Sequence, residues 1–189
     1  MIIDDLINKV VKYNPISNFE LINKAYEFAM KAHDGQKRES GEPHINHLIN
    51  TALILAELKV DDKIIVASLL HDTLEDTKTN VKDIEKEFGQ DVLDLVKGVT
   101  KISKINITDS KIRQSESIRK MLLATTEDIR VIIIKLADRL DNMKSLKYFR
   151  EDKQKRISQE TLDIYSPIAY RLGLSNIKWQ LEDLAFRYL

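Results

Sequence analysis

Apolar positions recur along this chain at intervals of three and four, the spacing of one face of a helix. Over residues 19–33 they are Leu21, Ile22, Ala25, Phe28, Ala29 and Ala32, and over 44–58 they are Ile45, Leu48, Ile49, Ala52, Leu53, Leu55 and Ala56. Each run predicts a helix. Asn18 or Ser17 can cap the first, and Gly35 can end it. Between the two lies QKRESGEP, residues 36–43, a predicted loop with turn residues Ser40, Gly41 and Pro43 and the cations Lys37 and Arg38. Residues 81–99 carry Val81, Ile84, Phe88, Val92, Leu95, Val96 and Val99, a further helix with Gly89 as a candidate break. Residues 101–117 have no clean period and predict a long loop over a site; residues 118–125 predict a short helix. Two amphipathic helices close the chain, over 156–171 and 177–189, separated by Gly173, with Pro167 kinking the former.

Two segments depart from amphipathicity. In IIVASLLHDTLEDT, residues 64–77, the first half leaves almost no polar face, as in a helix surrounded by protein. The run after Asp128, DIRVIIIKLADRLDNMKSL, is similar. Its β-branched stretch 131–134 has strand propensity, but Leu136, Leu140 and Met143 continue a helical stripe, which favours a helix to about Leu146. The expected fold is therefore all-α, one domain over residues 1–189 with roughly eight helices and no internal boundary.

Composition narrows the function. With 189 residues the chain can bury one sizeable core. Thirty basic and thirty acidic residues balance, so no global field draws nucleic acid or membrane, and cations for an anionic ligand must be local. The absence of cysteine excludes disulfides and thiolate metal sites and fits a reducing compartment, so the expected location is cytoplasmic. The N-terminal MIIDDLINKV does not read as a signal peptide. No run approaches the roughly 18 apolar residues of a membrane span.

The chemistry concentrates where apolar runs end. His71, Asp72, Glu75 and Asp76 follow the buried stretch 64–70, and buried charge is costly unless it is paired or coordinates a metal. His47 lies 13 residues before Val60 and His71 lies 11 after it, about 20 Å and 17 Å from a turn there at about 1.5 Å per residue. An antiparallel helix pair would bring them to nearly the same level. Asp72 flanks the same helix shoulder, and Asp138, at the end of the second buried run, can supply another acid. Two imidazoles and two carboxylates suit Mn, Fe, Zn or Co better than Ca or Mg. Glu75 is four residues from His71, Asp76 four from Asp72 and Asn142 four from Asp138, with Ser145 further along, so each marks the next turn of its helix. Lys37, Arg38, Lys101, Lys104 and Arg139 are the candidate cations for a phosphate. His33 and His44 are expected to be structural or peripheral.

A His, a distant His-Asp and a distant Asp on helices resemble the HD-domain phosphohydrolases. The strings AHDGQKRESGEPHINH, HDTLEDT, VTKISKI, IKLADRLDNM and RISQETLDIYSPIAYRLGLSNIKWQLEDLAFRYL are similar to the hydrolase domain of the RelA/SpoT homologues, over about residues 25–189. That resemblance implies an all-α HD domain and Mn-dependent release of pyrophosphate from the ribose 3′ position of ppGpp or pppGpp, giving GDP or GTP. It implies His47, His71, Asp72 and Asp138 as metal ligands. It implies Glu75 and Asp76 as the acidic pair that activates and orients water. Arg38 would pack on the guanine, Asn142 would sit near the ribose, and Ser145 would form a nearby polar wall; Lys37, Ser40 and Arg139 complete the expected substrate contacts. His44 stands where the family usually has tyrosine, Leu48 where proline is common and Asp141 where histidine is common. The alternatives are an HD phosphohydrolase acting on another nucleotide such as NADPH, or a non-catalytic alarmone-sensing domain. The end at Leu189, inside an amphipathic helix, favours a fragment with a synthetase domain in cis over a stand-alone enzyme.

Overall fold

The computed structural model describes residues 2–103 and 128–189. Among these residues there is no β-strand, and β pairing is one isolated bridge between Lys37 and Pro43. Helix α1 spans Ile2–Val11 and α2 spans Phe19–Ala32. Asn18 caps α2 by accepting from the Leu21 amide at 3.0 Å, and Gly35, at φ 72°, turns the chain out of it. Helix α3 is His44–Glu57 and α4 is Asp62–Leu70, capped by Asp61, which accepts from the Ile64 amide at 2.9 Å. Every residue of α4 from Ile64 to Leu70 is buried, because α2, α3 and α7 (Gln90–Ser103) surround it. Helix α8, Ile129–Lys144, is capped by Asp128 and packs on α3 and α7. Gly98 of α7 makes that approach: a Cβ there would stand 2.6 Å from Val131 Cγ2.

Four boundaries differ from expectation. Residues 64–77 are not one helix: α4 stops at Leu70, and a short α5, Thr73–Asp76, follows a turn at His71-Asp72. Side chains take the carbonyls there. Ser68 Oγ donates to Ile65 O, His71 Nδ1 to Ser68 O and Thr73 Oγ1 to Leu70 O, at 2.6–2.7 Å. Such local bonds compete with continuation of the helix. Gly89, at φ 84°, separates α6 (Val81–Phe88) from α7, and α7 runs on to Ser103, so Lys101 is helical rather than the start of a loop. The remainder of the predicted 101–117 loop, including Lys104, and the predicted 118–125 helix lie outside the described residues.

The third difference is near Pro167. A helix begins earlier than expected, with α9 at Glu151–Glu160, passes through a π turn at Thr161–Tyr165, and resumes as α10, Ser166–Arg171. Proline cannot donate back to the carbonyl four residues earlier, and the wider π turn absorbs that missing bond. Finally, α1 was not read from the sequence; it packs Ile3, Leu6 and Val10 into the core beside α3. Helix α11, Ser175–Phe186, ends the chain, against α8 and α10.

Arg130 ties α7 to the start of α8. Its guanidinium donates to Asp91 and to Asp128, each at 2.7 Å. The Arg130 and Lys63 hydrogen bonds hold the Asp91 carboxyl down at about 2. A depressed carboxyl contributes stability above its unfolded value of about 3.9 that is lost as pH falls through the folded value. Asp91 is partly exposed, with its side chain at 40%, so solvent limits the effect to about 0.5–1 kcal/mol. Asp91→Asn is expected to lower stability by that amount at pH 7 in urea melts. The difference from wild type should shrink below about pH 4 and vanish only below about pH 2.

Candidate metal centre

The hairpin of α3 and α4 brings His47 and His71 together, with ring centroids 5.3 Å apart. Both are buried. His71 Nδ1 donates to Ser68 O at 2.7 Å, so its Nε2 is the free lone pair of the neutral ring. That Nε2 is buried without a hydrogen-bond partner and lies 3.2 Å from Asp72 Oδ1 and 3.9 Å from Asp138 Oδ1. His47 Nδ1 donates to Asp141 Oδ2 at 2.7 Å. Its Nε2 therefore faces Asp138 Oδ1 at 3.3 Å and Asp72 Oδ2 at 3.7 Å.

His47, His71 and Asp138 thus bring ligand-type atoms within 4.8 Å of one another, and Asp72 flanks both imidazoles, with Oδ1 toward His71 and Oδ2 toward His47. They repel one another unless a cation sits between them. The donor set fits a divalent ion with nitrogen and oxygen ligands. The metal-free electrostatics agree. Burial opposes charge on His47, but the hydrogen bonds to Asp138 and Asp141 outweigh it and raise its pKa to about 9. A proton then takes the cation's place. Burial would raise Asp72, yet His71, the hydrogen bond from His44 and His47 hold it below the carboxylate range. Asp138 is likewise pulled well down, chiefly by Lys135, whose Nζ donates to Asp138 Oδ2 at 2.7 Å.

The remaining predicted residues are spread over several places. Asn142 Nδ2 donates to Asp138 Oδ1 at 2.5 Å, and Arg38 Nη2 donates to Asn142 Oδ1, so both reach the cluster. Asp76 joins a second group with His44 and Asp72, their ligand-type atoms within 4.8 Å of one another. Glu75 is exposed and lines an open cleft with Asp76, Gln36 and Lys31. Arg139 stacks 3.9 Å above the Tyr165 ring and donates to Glu160 at 2.8 Å. It lines a recess of about 250 Å³ with Lys135, Asp138, Asn142 and Arg156. Lys37 is exposed, Ser40 Oγ accepts from the Glu42 amide, and Ser145 Oγ donates to Asn142 O; these three contacts are with their own loop or helix end.

Three participants escaped the sequence reading. His44 is not peripheral: its Nε2 donates to Asp72 Oδ2 at 2.9 Å while its ring stacks on His33. Lys135 sits three residues before Asp138, a helix-face spacing that could have flagged it. Asp141, noted as a departure, is bonded to both His47 and Arg38.

The HD domain family profile matches residues 25–175. The chain belongs to the HD-domain family. Among curated relatives, this HD domain is 52% identical over 187 residues to the guanosine-3′,5′-bis(diphosphate) 3′-pyrophosphohydrolase of Aquifex aeolicus, covering 99% of this chain and 26% of that protein. It is 47% identical over 190 residues to the bifunctional (p)ppGpp synthase/hydrolase SpoT of Escherichia coli, covering 100% of this chain and 27% of that protein. The chain therefore spans about a quarter of these relatives. Among solved structures, the HD domain matches a metazoan ortholog of SpoT, described as hydrolysing ppGpp and playing a role in starvation responses, with TM-score 0.68 and 26% identity over 88% of this chain and 94% of that one. No described helix is long and apolar enough to cross a membrane.

Asp72→Ala tests whether the four groups share one ion: as a ligand, its loss should weaken divalent-metal binding by more than the roughly 10–100-fold that loss of an outer partner costs. Elemental analysis after dialysis, with helicity checked by circular dichroism, reads the outcome. Wild-type stoichiometry in that variant contradicts the assignment.

Proposed function

We propose that this HD domain removes pyrophosphate from the 3′ position of ppGpp and pppGpp, leaving GDP and GTP. The observation that carries the reading is the convergence of the His47 and His71 Nε2 atoms on Asp72 and Asp138, with Arg38 joined to the same cluster. The activities of the relatives support the choice of substrate. We take His47, His71, Asp72 and Asp138 as ligands of a divalent metal, with Mn2+ the proposed ion. A metal bound there supplies a nucleophilic water at neutral pH.

In this reading the water oxygen bonds to the phosphorus attached at the 3′ oxygen. That P–O bond breaks, pyrophosphate departs with the new oxygen, and the ribose 3′ oxygen takes a proton. Glu75 and Asp76, at the mouth of the cleft, are proposed to accept the water's proton and orient it. His44 fixes Asp72, and Lys135 offsets charge on Asp138. Arg38 presents a flat guanidinium for the guanine, with Lys37 and Ser40 on the same loop, and Asn142 and Ser145 line the ribose side. Arg139 and Lys135, which line the recess beside Asp138, are proposed to meet phosphate charge. By likeness to the bifunctional relative, a synthetase domain in cis is a proposed partner, and the cytoplasm the proposed compartment.

Purified protein with ppGpp and Mn2+ is expected to release pyrophosphate and GDP. Bound Mn2+ without pyrophosphate release sinks the proposal. Glu75→Gln should lower kcat by about 10²–10⁴ with Mn2+ stoichiometry unchanged.

A further inference from the structure

Asp141 sits on α8, three residues beyond Asp138, and is 4% exposed. A single oxygen, Oδ2, accepts from two donors: His47 Nδ1 at 2.7 Å and Arg38 Nη1 at 2.9 Å. His47 turns its other nitrogen toward Asp138 and Asp72. Arg38 belongs to a loop whose backbone is bound to itself: the Arg38 amide donates to Glu42 O and the Gly41 amide to Arg38 O. The same guanidinium reaches Asn142, and Asn142 reaches Asp138. So the arginine loop is wired to the metal-facing imidazole through one buried carboxylate oxygen.

That sharing has a physical consequence. A carboxylate on the far nitrogen of a ligand imidazole orients the ring and strengthens its donor atom. Here the charge is divided between the imidazole and a guanidinium. Any movement of Arg38 changes what Asp141 gives to His47, and any cation at His47 Nε2 changes what Asp141 gives to Arg38. We propose that Asp141 is a positioning residue that couples the arginine loop to the metal centre, so that engagement of Arg38 and binding of the metal change each other's affinity. By linkage the two effects are equal in size. The inference rests on the reading that the cluster binds a divalent metal.

The test uses the whole chain without nucleotide. Mn2+ affinity is measured by calorimetry for wild type, Arg38→Ala, Asp141→Asn and the double variant. Asp141→Asn is expected to weaken Mn2+ by about 10–100-fold. Arg38→Ala should shift Mn2+ affinity at least about threefold in the wild-type background and less than about twofold beside Asp141→Asn, a non-additive cycle. Additive shifts overturn the coupling and leave the metal reading intact; no Mn2+ binding by wild type overturns both. A metal-free arm covers failure of the Asp141 variant to fold. In imidazole nitrogen NMR, Arg38→Ala should move the His47 resonances and leave those of His71, which is held by Ser68 O. Unmoved His47 resonances overturn the inference.

Discussion

The structure depends on one electrostatic conflict: two buried imidazole nitrogens and the buried Asp138 carboxylate face one another, with the half-buried Asp72 beside both rings. Without a positive charge the arrangement would drive the helices apart, since burial removes the water that would otherwise screen it. Every surrounding contact addresses that conflict. Lys135 bonds one oxygen of Asp138 while the other oxygen stays toward the imidazoles. Ser68 O and Asp141 take the Nδ1 protons, so that both Nε2 atoms turn inward. The polar partners set which atoms are left for a cation.

The fold supplies the rigidity this needs. Helix α4 is buried from Ile64 to Leu70 and delivers His71 at its very end, where side-chain hydrogen bonds to Ile65, Ser68 and Leu70 carbonyls stop the helix. The break does chemistry as well as punctuation. It turns Asp72 so that Oδ1 faces His71 and Oδ2 faces His44 and His47, which a continuous helix would not have required. The acidic pair Glu75-Asp76 then lies on a separate short turn at an open cleft, exposed to water, with Asp76 close to Asp72 and His44.

Much of this was legible beforehand. The 3.6-residue pattern marked most helices, and counting residues from Val60 put His47 level with His71, whose rings lie 5.3 Å apart. Asp138 could be named because it closes an apolar run, as His71-Asp72 do. Helix α1 was passed over because its short apolar face was weighed only as a targeting signal. His44 was set aside because a lone histidine carries no partner in sequence; Asp72 is 28 residues away.

What the sequence alone determined is the inventory: helices from periodicity, His71, Asp72 and Asp138 at the ends of apolar runs, and His47 at a matching level of the preceding helix. These are local properties, since propensity and burial pattern act over a few turns. The tertiary structure decided the assignment of atoms. The choice of donor nitrogen on each imidazole, Asp141 shared by His47 and Arg38, and Lys135 against Asp138 all involve angles and distances of a few ångströms. Packing of α3 against α8 and the path of the arginine loop set those distances, and no spacing along one chain encodes them.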